Sequence, residues 1–166
     1  MKIDLVQLRE FAERYTAAWC SQNPWRVAAC YSPNGSLRVN SAAPAVGREA
    51  IREVAQGFMT AFPDMRVIMD EVVVQGEGAV FHWTLVGTNT GPDGTGNRVR
   101  ISGFEEWEFG GDGLIARSLG HFDEAVSVRP YPCSTRSPRA FRLSSTSGFK
   151  GAPPLTKPLN LPPNSL

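Results

Sequence analysis

A change of hydrophobic period at Pro63-Asp64 constrains the fold of this chain more than any other feature of its sequence. Before this point, apolar residues recur at steps of three and four, which is typical of helices that bury one face. After it, apolar and polar residues alternate, which is typical of strands. Helices that come first can cover one face of the sheet that follows. The sequence therefore predicts an α+β domain.

Three helices are predicted before the change of period. The first spans residues 4–21 and carries its apolar residues on one face. The second is short and spans residues 25–31. It starts at Asn23-Pro24, which combines an N-cap with proline at the first helical position. The third starts at residues 47–51 and ends before Pro63.

One short strand and four long strands are predicted. The short strand, residues 36–40, follows the breaker Ser32-Pro33-Asn34-Gly35. Glycine-rich residues 76–78 and 110–113 have the composition of tight turns, and residues 91–96 form a longer hairpin loop. We expect a cone-shaped, curved antiparallel sheet that packs against the three helices and encloses a pocket. The long strands are residues 65–75, 79–90, 97–109 and 114–123.

The last 42 residues, 125–166, differ in composition from the rest of the chain. They hold eight of the 13 prolines and seven serines, and they show no periodic apolar pattern. Such a composition does not supply a packed core. We therefore predict one α+β domain over residues 1–124, followed by a basic tail, rich in proline and serine, that is disordered.

Charge and cysteine content restrict the classes of function. Residues 1–124 carry 11 Lys and Arg against 16 Asp and Glu, a balance of −5, which makes a poor surface for nucleic acid. Cys20, Cys30 and Cys133 match no short zinc or redox spacing, which fits a reducing compartment. The first ten residues lack a secretion signal, and no apolar run has the length of a membrane span. We expect a cytoplasmic protein that binds neither nucleic acid nor membrane.

Four segments carry a resemblance to a known family: Gly47-Arg48-Glu49-Ala50-Ile51, Ala61-Phe62-Pro63-Asp64-Met65, residues 83–91, and residues 112–123 with His121-Phe122-Asp123 at the end. In order and spacing they resemble SnoaL-like polyketide cyclases of the nuclear transport factor 2-like superfamily. The resemblance covers roughly residues 5–124 and implies the cone described above. The superfamily includes cyclases, isomerases, epoxide hydrolases and non-catalytic binding proteins, so the resemblance alone does not fix the activity.

The resemblance also implies a catalytic pair on the last strand. In SnoaL-like cyclases, a histidine and an aspartate are placed similarly to His121 and Asp123, and the aspartate removes a proton from an activated carbon. Residues two apart on a strand share a face, so the two side chains are expected to be neighbours. In an apolar pocket the pKa of Asp123 would rise towards that of a usable base. The alternative is an aspartate that caps the turn after the strand.

Further residues are expected to line the pocket. Glu105 alternates with apolar residues, so it is a second candidate acid unless it lies at a partly solvated edge. The face of residues 79–90 that holds Trp83 is expected to be the inner one, which places His82 outside. The aromatic residues at helical spacing either line the pocket or fill the core. The predicted pocket residues are Tyr15, Trp19, Phe58, Phe62, Trp83, Asn89, Glu105 and Trp107.

Two functions of the domain remain open at this point, and a third interpretation takes residues 130–138 and 153–163 of the tail as proline-rich docking segments. The first is a cofactor-independent cyclase or isomerase that acts through an enolate on a small, largely apolar carbonyl compound, with no metal. The second is a non-catalytic module that binds a hydrophobic ligand or a protein in the same cone. Asn89 favours the second function, because family members commonly have histidine at this position. Residues 126–132 favour it too, because family members commonly have a closing amphipathic segment there. The outer sheet face, with Val80 and Val86, is expected to form a homodimer.

Overall fold

The order of helices and strands follows from the change of period along the sequence. The computed structural model describes residues 4–123, so the predicted tail lies outside the described residues. The α+β class is confirmed. The helices are α1 (Leu5–Cys20), α2 (Pro24–Ala28) and α3 (Arg48–Ala61), and the strands are β1 (Tyr31–Val39), β2 (Ala45–Val46), β3 (Arg66–Gln75), β4 (Gly78–Thr88), β5 (Arg98–Phe109) and β6 (Ile115–Phe122).

The strands form one six-stranded sheet in the order β2-β1-β6-β5-β4-β3. Strands β3 to β6 make the predicted antiparallel meander. Strand β1 adds to it by pairing in parallel with β6, and the two-residue strand β2 pairs with β1. The helices contact one face of this sheet, which we call the inner face, and the opposite face is called the outer face.

Local capping explains where the helices begin. Asp4 caps α1 by accepting a hydrogen bond from the Val6 backbone N at 2.8 Å. Asn23 caps α2 in the same way, with its Oδ1 3.1 Å from the Trp25 backbone N, ahead of proline at the first helical position. The buried face of α1 has the predicted helical spacing. Its buried residues are Leu8, Phe11, Ala12, Tyr15, Ala18 and Trp19.

Strand β1 begins at Tyr31, so the predictions that α2 runs to residue 31 and that residues 32–35 break the chain were wrong. The breaker residues lie inside the strand, where the pairing of β1 with β6 shifts between Tyr31 and Ser36. Such a bulge takes up residues that cannot join the hydrogen-bonded ladder. Gly35 is required there, because a Cβ atom at this position would lie 2.7 Å from the Ile115 carbonyl oxygen.

A second bulge, in β6, decides which side chains of that strand face inwards. Ile115 pairs with Phe109 and Arg117 pairs with Glu108, so Ala116 is an extra residue on β6. An extra residue moves every later side chain to the opposite face of the sheet. After the bulge, Ser118 and Gly120 are therefore buried on the inner face, and His121 lies on the outer face.

Aromatic rings fill most of the space between the helices and the inner face. Trp107 stacks on Phe81 with ring centroids 4.7 Å apart, and Tyr15 of α1 meets Trp107 edge to face at 5.0 Å. Such contacts add to the stabilisation that these large apolar side chains gain from burial. Among residues 4–123, no helix is long and apolar enough to cross a membrane.

Candidate functional site

A cavity of about 50 Å³ lies between the inner sheet face and the helices. Trp19 of α1 and Phe58 of α3 form its helical wall, and strands β1, β3, β4, β5 and β6 supply the rest. Glu105 is the one charged side chain among the described residues that line it. This volume corresponds to about three to five water positions, so the cavity suits a small, largely apolar molecule.

Glu105 is buried and held by hydrogen bonds from three elements. Its Oε2 accepts from Tyr15 Oη of α1 at 2.9 Å, from Trp107 Nε1 of β5 at 2.9 Å and from Ser118 Oγ of β6 at 2.7 Å. Tyr31 of β1 joins through a bond of 2.9 Å between its Oη and Tyr15 Oη. Within residues 4–123, all hydrogen bonds of this carboxylate end on Oε2, which leaves Oε1 without one. We call these five residues the Glu105 network.

Burial controls the protonation of the Glu105 network. It raises the pKa of Glu105 above its ordinary value, and the hydrogen bonds from Ser118, Trp107 and Tyr15 oppose the rise without cancelling it. Burial also raises the pKa of Tyr15 and of Tyr31 well above the usual range, and the nearby carboxylate raises both further. The two phenols therefore keep their protons and remain hydrogen-bond donors.

We expect Glu105 to make the domain less stable as the pH rises from the ordinary glutamate pKa, near 4.5, towards the raised one. In this range the folded chain holds a proton on Glu105 that the unfolded chain has lost, so a higher pH favours unfolding. The substitution Glu105→Gln removes this titration. The free energy of unfolding of the wild type minus that of the variant should fall through this range and then level off. Urea denaturation of both proteins across pH measures the difference, and a constant difference would contradict the expectation.

Gly120 leaves open space beside the Glu105 carboxylate. The two residues are partners across β5 and β6, and a Cβ atom at Gly120 would lie 3.7 Å from Glu105 Cγ. Any larger side chain at this position would therefore enter the cavity next to the carboxylate, since both residues line it. The absence of a side chain at Gly120 makes one edge of Glu105 accessible to a ligand.

Residues 12–118 match the family model of the SnoaL-like domain. The chain belongs to the SnoaL-like family. A search of curated proteins found no match. Among solved structures, the SnoaL-like chain is similar to TsrD from Streptomyces laurentii, with 21% identity and a TM-score of 0.63 over 74% of this chain and 92% of that one.

Two further structures resemble this SnoaL-like domain. One is SalBIII, described as an epoxide hydrolase/cyclase-like enzyme in pyran ring formation in the polyether salinomycin, with 16% identity and a TM-score of 0.64 over 75% of this chain and 96% of that one. The other is a protein of ketosteroid isomerase-like fold from Catenulispora acidiphila in complex with trimethylamine, with 15% identity and a TM-score of 0.63 over 70% and 88%. Identities this low show a shared fold only.

The predicted pair, His121 and Asp123, does not line the cavity of the SnoaL-like domain. His121 lies on the outer face, where its Nε2 is 2.9 Å from Glu106 Oε2 and its ring stacks on Phe104 at 4.8 Å. Asp123 directly follows β6 and is exposed. Asp123 therefore lies outside the cavity in this structure, and its role as a base stays a prediction. The bulge at Ala116 places Ser118 and Gly120, instead of His121, on the inner face.

The other predicted pocket residues divide into four groups. Trp19, Phe58, Trp83 and Glu105 line the cavity. Tyr15 and Trp107 lie behind the cavity wall and are hydrogen-bonded to Glu105 in that wall. Phe62 is buried but does not line the cavity. Asn89 belongs instead to the hairpin loop, where its backbone N donates to the Asn97 carbonyl oxygen at 2.9 Å.

Sequence reasoning missed Gly120 and Phe122, which line the cavity on β6. The bulge at Ala116 explains why both were missed. If inward and outward side chains alternated without interruption from Ile115, Gly120 and Phe122 would lie on the outer face. Leu37 was also missed, although it lies in the predicted strand 36–40 and lines the cavity. His82 lies on the outer face, as predicted, with its ring 5.9 Å from that of Phe104. Within residues 4–123, no group of three or more His, Cys, Asp and Glu side chains is arranged to hold a metal ion.

Proposed function

We propose that this SnoaL-like domain is a cofactor-independent cyclase or isomerase that moves a proton on a small, largely apolar carbonyl compound, with Glu105 as its general base. The observation that carries the proposal is a single buried carboxylate in the wall of an otherwise apolar cavity. A carboxylate whose pKa is raised by burial is a stronger base than one in water and works closer to neutral pH.

In the proposed reaction, Oε1 of Glu105 removes a proton from the carbon next to the substrate carbonyl. The electron pair of that C–H bond moves into the carbonyl group and gives an enolate. In an isomerase acting on a β,γ-unsaturated carbonyl compound, Glu105 then returns the proton to the γ-carbon of the dienolate. In a cyclase, the enolate carbon attacks a second carbonyl carbon of the same molecule, the π electrons of that C=O bond move to its oxygen, and this oxygen takes the proton from Glu105. The three hydrogen bonds to Oε2 hold the carboxylate in one orientation, so Tyr15, Trp107 and Ser118 act as positioning residues.

The family resemblance pointed to Asp123 as the base, and that assignment stays a prediction. The cavity supports Glu105 instead, because Glu105 lines it whereas Asp123 is exposed beyond the end of β6. The likeness to SalBIII, an epoxide hydrolase/cyclase-like enzyme, also supports a reaction of the cyclase class.

A non-catalytic ligand-binding module is the second candidate function. The small volume of the cavity favours it, because catalysis on a substrate of drug-like size would need a space of several hundred cubic ångströms. The three hydrogen bonds to Oε2 also favour the binding module, because a carboxylate that accepts three hydrogen bonds can serve to stabilise the fold. A module of this kind would bind the same compounds as the enzyme and leave their C–H bonds intact.

The test of the proposal is solvent deuterium incorporation into the acidic carbon of methyl acetoacetate, a small β-keto ester, by the wild type and by Glu105→Gln. Exchange that exceeds the buffer rate in the wild type alone supports the enzyme. Binding of the ester without such exchange, detected by calorimetry, supports the module.

We also propose that the outer face joins two copies of the domain, and we expect Phe104→Lys to separate them. Phe104 is exposed on this face between the rings of His82 and His121, so a second copy would cover an apolar group. The wild type should sediment as a dimer at high micromolar concentration and the variant as a monomer. Leu5→Lys, an exposed apolar position on α1, is the control and should remain dimeric. A wild type that sediments only as a monomer would refute the interface.

A further inference from the structure

One polar atom in the wall of the cavity has no hydrogen-bond partner. It is Nε1 of Trp83, the only buried side-chain nitrogen or oxygen within residues 4–123 that lacks one. Trp83 is 9% exposed and lines the cavity. Leaving a buried donor unpaired costs free energy, and folded proteins seldom do so. An unpaired donor beside a ligand cavity therefore needs a physical reason.

The other tryptophans show that the feature is specific to Trp83. Trp107 donates its Nε1–H to Glu105 Oε2 at 2.9 Å, and Trp25 is half exposed to water. Trp19 Nε1 is not among the buried side-chain atoms of residues 4–123 that lack a partner. The same fold thus supplies a partner or solvent to every other indole in the described chain. At Trp83 the neighbouring walls are apolar and supply none.

Glycine makes room for the indole edge that carries this donor. Trp83 faces Gly103 across β4 and β5, and a Cβ atom at Gly103 would lie 2.7 Å from Trp83 Cζ2. Phe122, the next residue in the same row across the sheet, meets the indole edge to face at 5.9 Å. Since Nε1 is covered, a ligand oxygen reaches it only when a neighbouring side chain moves.

Glu105 completes a pair of polar groups in the cavity. It lies two residues after Gly103 on β5 and therefore on the same face as Trp83. The two are diagonal neighbours, with Cα atoms about 7–8 Å apart in a regular sheet. The wall of the cavity thus holds a hydrogen-bond donor and an acceptor on two neighbouring strands.

We infer that Nε1–H of Trp83 is the donor that binds the oxygen of the ligand, so that the cavity selects a neutral carbonyl compound whose acidic hydrogen faces Glu105. This rests on the proposed function, because it takes the same cavity as the substrate site. A hydrocarbon of equal shape leaves the donor unpaired. An anionic ligand is disfavoured, because it would place a second negative charge beside Glu105 in an apolar site.

The experiment compares cyclopentanone with methylenecyclopentane, which has the same shape but no oxygen. In ¹⁵N-labelled protein the four tryptophans give four indole N–H signals, and the spectrum of Trp83→Phe identifies that of Trp83. We expect cyclopentanone to move the Trp83 proton downfield and the hydrocarbon to leave it nearly unshifted. Trp83→Phe should weaken ketone binding about fivefold to tenfold, with less than about a twofold change for the hydrocarbon.

Trp19→Phe is the matched control, because Trp19 lines the same cavity but its Nε1 is not a buried donor without a partner. It should weaken binding of both compounds to a similar extent. A purely structural role for Trp83 predicts the same pattern for Trp83→Phe, and this result would overturn the inference. So would a Trp83 signal in the wild type that does not move when cyclopentanone saturates the protein.

The outcomes separate this inference from the proposed catalysis. A downfield shift of the Trp83 signal without deuterium exchange in methyl acetoacetate supports the donor and refutes the enzyme. Exchange without any movement of the Trp83 signal supports the enzyme and refutes the donor.

Discussion

Glu105→Gln is expected to lower the rate of enzyme-catalysed deuterium exchange by about a hundredfold or more. Glutamine has nearly the same shape, and its amide oxygen can accept the hydrogen bonds that Oε2 accepts from Tyr15, Trp107 and Ser118. An amide does not take up a proton at neutral pH, so only the base is lost. Binding of cyclopentanone should change little, and the loss should appear in the turnover rate rather than in the Michaelis constant.

Asp123→Asn is the matched control for this prediction. Asp123 is exposed beyond the end of β6, so the variant should keep the exchange rate of the wild type. The opposite pattern, with activity lost in Asp123→Asn and kept in Glu105→Gln, would refute Glu105 as the base. It would also support the pair His121 and Asp123 that the family resemblance indicates.

Glu105→Leu is expected to lower the free energy of unfolding by about 2–5 kcal/mol. Leucine fills a similar volume but accepts no hydrogen bond, so the Trp107 N–H and the Ser118 hydroxyl lose their buried partner. Tyr15 keeps its bond to Tyr31, and the carboxylate no longer has to be buried, which offsets part of the loss.

Urea denaturation measures this effect against Glu106→Leu. Glu106 is the next residue on β5, but its side chain is exposed on the outer face, where its contact with His121 contributes about 0–1 kcal/mol. The control should therefore stay close to the wild type. Equal stability of Glu105→Leu and the wild type would show that the Glu105 network does not hold the elements together.

Local patterns were enough to predict most of the fold. Helical spacing placed α1 within one residue at each end, because Asp4 and the buried aromatic face both mark it. Alternation placed Trp83 on the inner face and His82 on the outer one, since β4 has no interruption in its pairing with β5. In each case, the signal lies within a few residues of the element that it predicts.

The candidate site depends on contacts that such patterns do not contain. Glu105 was identified as a candidate acid from its apolar neighbours, but its bond to Tyr15 joins residues 90 positions apart. The bulges in β1 and β6 are consequences of pairing between distant strands, and the one at Ala116 determines that His121 lies on the outer face. The unpaired donor of Trp83 also emerges only when its neighbours are in place.

The extra residue at Ala116 bears on how roles are transferred between relatives of this domain. A relative that lacked it would keep the same strands in the same order, yet it would turn the equivalents of His121 and Leu119 towards the cavity and those of Gly120 and Ser118 away from it. Histidines at equivalent positions of this strand in the two proteins would then lie on opposite faces of the sheet. Residues of β6 should therefore be compared between relatives by their distance from the bulge. The presence of the extra residue, as well as the identity of the residues, determines which side chains face the cavity.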